Sequence, residues 1–157
     1  MIRGIHHVAL HTRDLPRIVK FYRDVVGFQE VSRLAWEESA TADAVVGLAD
    51  SAATVVMLKA ANLYLEIFKY SKPAPRPAQP LRPCDYGYTH LCLDVTDIDA
   101  EYRRLSRAGM EFNTPPADFG DIRAAYGRDP DGNIVEIQET LPGQAFALSL
   151  LGDVRFD

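Results

Sequence analysis

The sequence is most informative at first in what it has little of. It contains two cysteines, Cys84 and Cys92, in 157 residues, with no CxxC spacing between them. That excludes a disulfide framework or a thiolate zinc module and makes a reducing, cytoplasmic setting the expectation. No apolar run approaches the roughly 18 residues needed to cross a bilayer. The opening "MIRGIHHVAL" lacks the basic-then-apolar form of a leader and reads as a strand. Basic residues are also short: 17 Lys and Arg against 22 Asp and Glu give a net charge of −5. A nucleic-acid partner needs a dense basic face, so neither nucleic acid nor membrane is expected as a partner. What remains, 47% hydrophobic and 25% charged, is the balance of a globular protein with one domain's worth of chain.

The chain also repeats itself. "GIHHVALHTRDL" at 4–15 lies over "GYTHLCLDVTDI" at 87–98 with an offset of 83, so that Gly4, His7, Leu10 and Asp14 fall on Gly87, His90, Leu93 and Asp97. Each stretch runs into a segment of helical period, "PRIVKFYRDVVGF" and "DAEYRRLSRAGM". Asp14 and Asp97 stand where an N-cap belongs, and Gly27 and Gly109 where a helix stops. The ends correspond as well: "LYLEIF" at 63–68 and "NIVEIQ" at 133–138 place Glu66 over Glu136. This predicts an α+β fold of two repeated βαβββ modules, spanning 4–70 and 86–139. The proline-rich "SKPAPRPAQPLRP" at 71–83 links them, and 140–157 forms a C-terminal extension.

Strand parity sorts the histidines. Side chains alternate faces along a strand. In the first strand His6, Val8 and Leu10 share one face, opposite His7 and His11; in its copy Leu91 and Leu93 oppose His90 and Cys92. In the closing strands Leu65 and Ile67 oppose Tyr64, Glu66 and Phe68, while Val135 and Ile137 oppose Ile134, Glu136 and Gln138. The aliphatic face should pack under the following helix, which turns His7, Glu66, His90 and Glu136 to the other side. A carboxylate inside "YLEIF" is costly to bury without a compensating cation. A single histidine in an apolar strand is ordinarily structural; two imidazoles and two carboxylates in register have the composition of a metal site. His6, on the helix-facing parity, reads as a partly buried packing residue. His11 is about 13 Å along the strand from His7, too far for one ion, and reads as a surface residue.

Two such modules with His, Glu, His and Glu in register resemble the vicinal oxygen chelate superfamily, which includes glyoxalase I, methylmalonyl-CoA epimerase, extradiol dioxygenases and the fosfomycin and bleomycin resistance proteins. The resemblance rests on "HHVALHTRDLPRIVKFYRDVVGF", "YLEIF", "YTHLCLDVTDIDAEYRRL" and "GRDPDGNIVEIQE", covering about residues 4 to 139. It implies curved mixed sheets around a cavity that holds one divalent ion through His7, Glu66, His90 and Glu136. The ligand set is closest to glyoxalase I and the epimerase, which usually has Gln where this chain has Glu66. Zn²⁺, Ni²⁺, Co²⁺, Mn²⁺ and Fe²⁺ all suit such ligands, and affinity order does not choose among them.

The implied activity is that of a lyase or isomerase: two neighbouring substrate oxygens are chelated and a C–H proton is removed through an enediolate-like intermediate. Glu136 is the expected base, with Glu66 second. Tyr64, Phe68, Arg123 and Tyr126 are expected substrate contacts. A metal-dependent dioxygenase or resistance transferase of the same fold is the alternative chemistry, and a non-catalytic binding protein the alternative outside enzymology. The partners expected are a small molecule with vicinal oxygens and a second copy, a homodimer using the apolar "AFALSLLGDV" of the tail. From His7 to Glu66 is 59 positions and from His90 to Glu136 is 46, so the first module carries 13 extra residues, expected as a loop in "AWEESATADAVVGLADSAA" that shapes the pocket mouth.

Overall fold

The computed structural model describes residues 2–76 and 79–151. The chain divides into two compact units, Met1–Gln79 and Pro80–Asp157, each built around one expected module. Among the described residues no helix is long and apolar enough to cross a membrane.

Module one runs β1 (His7–His11), α1 (Leu15–Lys20), a π-helical turn (Phe21–Val26), β2 (Gln29–Trp36), α2 (Ala40–Val46), β3 (Ala52–Lys59) and β4 (Tyr64–Lys72). Asp14 starts α1 as expected, its carboxylate accepting from the Arg17 N–H at 3.1 Å. Leu15, Ile18 and Val19 then bury one stripe at helical spacing, and Gly27 ends the segment at φ 96°. The sheet order is β1-β4-β3-β2. β1 and β4 pair in parallel, while β3 is antiparallel to both β4 and β2. Leu58, Leu65, Ile67 and Val56 are buried to 1% exposure or less, and α1 packs on β4. Each such side chain contributes about 1.5–3 kcal/mol by leaving water.

The 13-residue excess of this module includes a helix, α2, where a loop is expected. Ser39 caps it by accepting from the Ala42 N–H at 3.2 Å, and Gly47 closes it at φ 69°. Asp43 ties the helix to the start of β3 by accepting from the Ser51 N–H at 2.8 Å and from its hydroxyl.

Module two runs β5 (His90–Asp94), α3 (Ile98–Arg107), β6 (Glu111–Phe112), β7 (Ala117–Asp118), β8 (Ile122–Arg128) and β9 (Ile134–Thr140). The sheet order is β5-β9-β8-β6, with β7 also pairing with β8. Again the first and last strands are parallel neighbours and the rest are antiparallel. Asp97 caps α3 by accepting from the Ala100 N–H at 3.1 Å, and Glu139 accepts from the Asp97 and Ile98 N–H groups. Ile98, Leu105, Val135 and Ile137 form the buried layer.

Two features aim β9. The DPDG turn is wired through Asp129, 4% exposed, whose carboxylate accepts from the Asp131 and Asn133 N–H groups at 2.9 Å and from the Asn133 amide at 2.8 Å. Gly132 completes the turn at φ 87°. In β8, Gly127 lies so close to β6 that a Cβ there would meet Met110 Cε at 2.7 Å, the Glu111 carbonyl oxygen at 2.8 Å and Phe112 Cδ1 at 2.9 Å.

β4 extends to Lys72, two residues into the proline-rich segment. Past β9, a 3₁₀ turn at Leu148–Leu151 leaves Phe146, Leu150 and Leu151 exposed. The remainder of the expected interface tail, from residue 152 onward, lies outside the described residues.

Candidate metal centre

The parallel pairing of first and last strands creates the same arrangement twice. In module one Glu66 pairs with Ala9 in the ladder, so His7, two residues earlier on the same face, is its diagonal neighbour. In module two Glu136 pairs with Cys92, and His90 takes the diagonal place. The Nε2 of His7 is 3.3 Å from a Glu66 oxygen, and the Nε2 of His90 is 3.1 Å from a Glu136 oxygen. The glutamates are well covered, with side chains 18% and 11% exposed.

These distances test whether the residues fit a metal. Imidazole and carboxylate ligands bind a transition-metal ion at about 2.0–2.2 Å. At angles from a right angle to tetrahedral, two such donors stand about 3.0–3.4 Å apart. Both pairs fall in that window, so the donors fit. Among the described residues no three His, Cys, Asp or Glu side chains converge as a ready-made cluster; the donors come as one pair per module.

The surroundings of the two glutamates differ. Glu136 lies between Cys92 on β5 and Tyr126 on β8, its ladder partners on either side, and its carboxylate acts on the thiol of one and the phenol of the other. Desolvation first, then the Glu136 carboxylate, push the Cys92 thiol up to about 12. The Tyr126 hydroxyl is raised by the same two causes in the same order, and its ring lies 5.1 Å from that of His90. Glu66 instead has Ala9 and Met57 as ladder partners, neither a hydrogen-bond donor through its side chain.

A cavity of about 430 Å³ opens beside Glu136 within module two. Ala117, Phe119, Ile122, Ala124 and Ala125 make it largely apolar, and the polar groups are Asn113, Thr114, Tyr126 and Glu136 itself. Of the expected substrate contacts, Tyr126 lines this cavity. Tyr64 and Phe68 share the strand face of Glu66; Tyr64 stacks on His6 at 4.9 Å and Phe68 on Tyr70 at 5.6 Å. Arg123 alternates to the opposite face of β8 from Tyr126. There its guanidinium donates two hydrogen bonds, at 2.8 and 3.0 Å, to Asp99 at the start of α3. Parity along "IRAAY" could have shown this.

His6 departs from its expected role. It is exposed rather than packed, and its Nδ1 is 3.0 Å from the Nδ1 of His7. His11 is exposed, and its Nε2 accepts from the Tyr70 N–H at 3.2 Å. Asn113, Thr114 and Phe119, which flank two-residue strands with no readable period, and Ile122 at the start of β8 were not legible as site residues in the sequence.

With this geometry in hand, comparisons with known proteins converge. The model of the Glyoxalase/Bleomycin resistance protein/Dioxygenase superfamily matches residues 4–137. A 2-epi-5-epi-valiolone epimerase from Actinomyces sp is 35% identical over 155 residues, covering 91% of this chain and 82% of that protein. A glyoxalase family protein from Bacillus cereus superposes with a TM-score of 0.80 at 21% identity, over 90% of this chain and 96% of that one. The fosfomycin resistance protein FosX from Listeria monocytogenes, solved with Mn(II) and sulfate, gives a TM-score of 0.60 at 18% identity, over 90% and 96% of the two chains. Those two structures bear on fold alone.

Proposed function

The chain belongs to the glyoxalase/bleomycin resistance protein/dioxygenase superfamily, and from that premise we propose that it is a divalent-metal-dependent isomerase or lyase, of epimerase type before glyoxalase type. Its ligands are His7, Glu66, His90 and Glu136. The observation that carries this reading is the twofold His–Glu pair, each at the spacing of two ligands on one ion. The 35% identity to an epimerase favours isomerisation over cleavage.

A bound divalent ion would supply Lewis acidity toward two adjacent substrate oxygens, making the neighbouring C–H more acidic. The chain's residues do the rest. Glu136 is the base: it lines the cavity, and its ladder partners Cys92 and Tyr126 set a thiol and a phenol beside its carboxylate. Epimerisation also needs a proton returned to the opposite face, and we assign that step to Glu66 as the second carboxylate of the ligand set. Phe119, Ile122 and Ala124 offer the rest of the substrate an apolar wall, and Asn113 and Thr114 offer it hydrogen bonds. The substrate is a small molecule with vicinal oxygens, and the working unit is a homodimer in the cytoplasm.

The test is metal analysis of the purified protein, followed by anaerobic proton–deuterium exchange with 2-epi-5-epi-valiolone, hemithioacetals and acyl-CoAs. About one divalent ion per chain and solvent deuterium in an unoxidised product are expected. An absent ion, or O₂ consumption without exchange, would replace this reading with the binding-protein or dioxygenase alternative.

A further inference from the structure

We propose that the residue immediately preceding each module's histidine, His6 in module one and Thr89 in module two, is a positioning residue that fixes that histidine's tautomer for metal binding. The inference rests on the metal reading above but concerns residues outside the ligand set. The His6 Nδ1 lies 3.0 Å from the His7 Nδ1, and the Thr89 Oγ1 lies 2.8 Å from the His90 Nδ1. The offset of 83 that superposes the modules carries His6 onto Thr89 and His7 onto His90. Two chemically unrelated side chains thus meet the same ring nitrogen from the same place in the repeat.

The chemistry explains why either side chain suffices. A neutral imidazole carries its proton on one nitrogen only. The Nε2 of each ring is the atom that faces its glutamate, at 3.3 and 3.1 Å. For Nε2 to offer a lone pair to an ion, the proton must sit on Nδ1, and an acceptor there favours that form. The Thr89 hydroxyl oxygen accepts directly. The His6 Nδ1 accepts when His6 holds its own proton on Nε2, and its ring is kept in place by stacking on Tyr64 at 4.9 Å and 24°. In the opposite arrangement His6 and Thr89 would donate, and the Nε2–H groups would point at Glu66 and Glu136. That would be a pair of ordinary hydrogen bonds with no free lone pair for a metal.

Histidine tautomers in the metal-free, ¹⁵N-labelled full chain can be read from long-range ¹H–¹⁵N couplings, and affinity for Co²⁺ from its visible absorption under chelator competition. The Nδ1–H form is expected at His7 and His90 in the wild type. His6→Ala and Thr89→Val should shift the neighbouring ring toward a mixture and weaken Co²⁺ binding about 10–100-fold, the usual effect of losing such a partner. His6→Thr, which copies module two into module one, and Thr89→Ser should restore both readouts; a merely structural role would not predict that exchange. An Nε2–H form in the wild type, or Co²⁺ affinity and tautomers unmoved in both His6→Ala and Thr89→Val, overturns the proposal. Failure of the metal reading looks different: the wild type would then bind no Co²⁺ while its tautomers still followed the variants, which supports the positioning role alone.

Discussion

The two modules share a backbone plan and differ in how they treat their glutamate. In both, the carboxylate sits on the last strand, diagonal to a histidine on the first. Across the ladders, Glu136 meets Cys92 and Tyr126, where Glu66 meets Ala9 and Met57. The repeat therefore preserves the pair that suits a metal and varies what surrounds it. One module sets its carboxylate between a thiol and a phenol at the wall of a cavity; the other sets an equivalent carboxylate between an alanine and a methionine. Under the proposed function, that division would suit a base and a second carboxylate with separate tasks.

Exchanging the glutamates should break the comparison most sharply. Glu136→Gln should keep much of the metal affinity and lose roughly two to four orders of magnitude in turnover, the usual contribution of a positioned general base. Glu66→Gln should be milder, and both are read by solvent deuterium incorporation. Equal losses in the two variants would mean that the asymmetry around the carboxylates has no bearing on the base.

The thiols sharpen the comparison next. With its thiol pushed from 9.0 up to about 12, Cys92 at pH 8 is roughly one part in ten thousand thiolate. Both thiols are exposed, so iodoacetamide should modify Cys84 at least about a hundredfold faster through thiolate content alone, as peptide mass spectrometry would show. The sign for stability follows. A raised folded pKa leaves the contribution of the neutral thiol intact at neutral pH, and that contribution declines as pH climbs from 9 toward 12. Labelling of Cys92 at the rate of Cys84 would remove the carboxylate contact from module two.

Smaller effects concern how module two is held in shape. Gly127→Ala pushes a methyl into the Glu111 carbonyl oxygen as well as two flexible side chains, and should cost about 1–3 kcal/mol in urea unfolding. Arg123→Ala, which removes a partly exposed pair with Asp99 on the far face of β8, should change turnover less than about twofold and stability by about 0–1 kcal/mol. A large loss of substrate affinity in that variant would restore Arg123 to the site.

Much of this was readable because the relevant rules are periodic. Parity placed His7, Glu66, His90 and Glu136 opposite Leu65, Ile67, Val135 and Ile137, and the caps at Asp14 and Asp97 stand where the spacing predicts. What escaped had no period to detect. Helix α2 buries none of its residues, so it carries no apolar stripe. The partnership of His6 with His7 joins sequence neighbours, a relation that parity treats as belonging to opposite faces. Cys92 and Tyr126 become partners of Glu136 only through strand order, which alternation along one strand does not reveal.

The parallel pairing of each module's outer strands has a consequence for assembly. The imidazole and carboxylate of each His–Glu pair lie at opposite ends of their module, 59 residues apart in one and 46 in the other. No partial chain that lacks the last strand can present both. Their meeting is the longest loop closure in the module, the contact whose entropic cost comes earliest and whose reward comes latest in folding. A chain emerging from the ribosome would carry its histidines without their glutamate for most of a module's synthesis and would gain a His–Glu pair only as each module finishes. Capture of an ion by a His–Glu pair would therefore report that its module is complete.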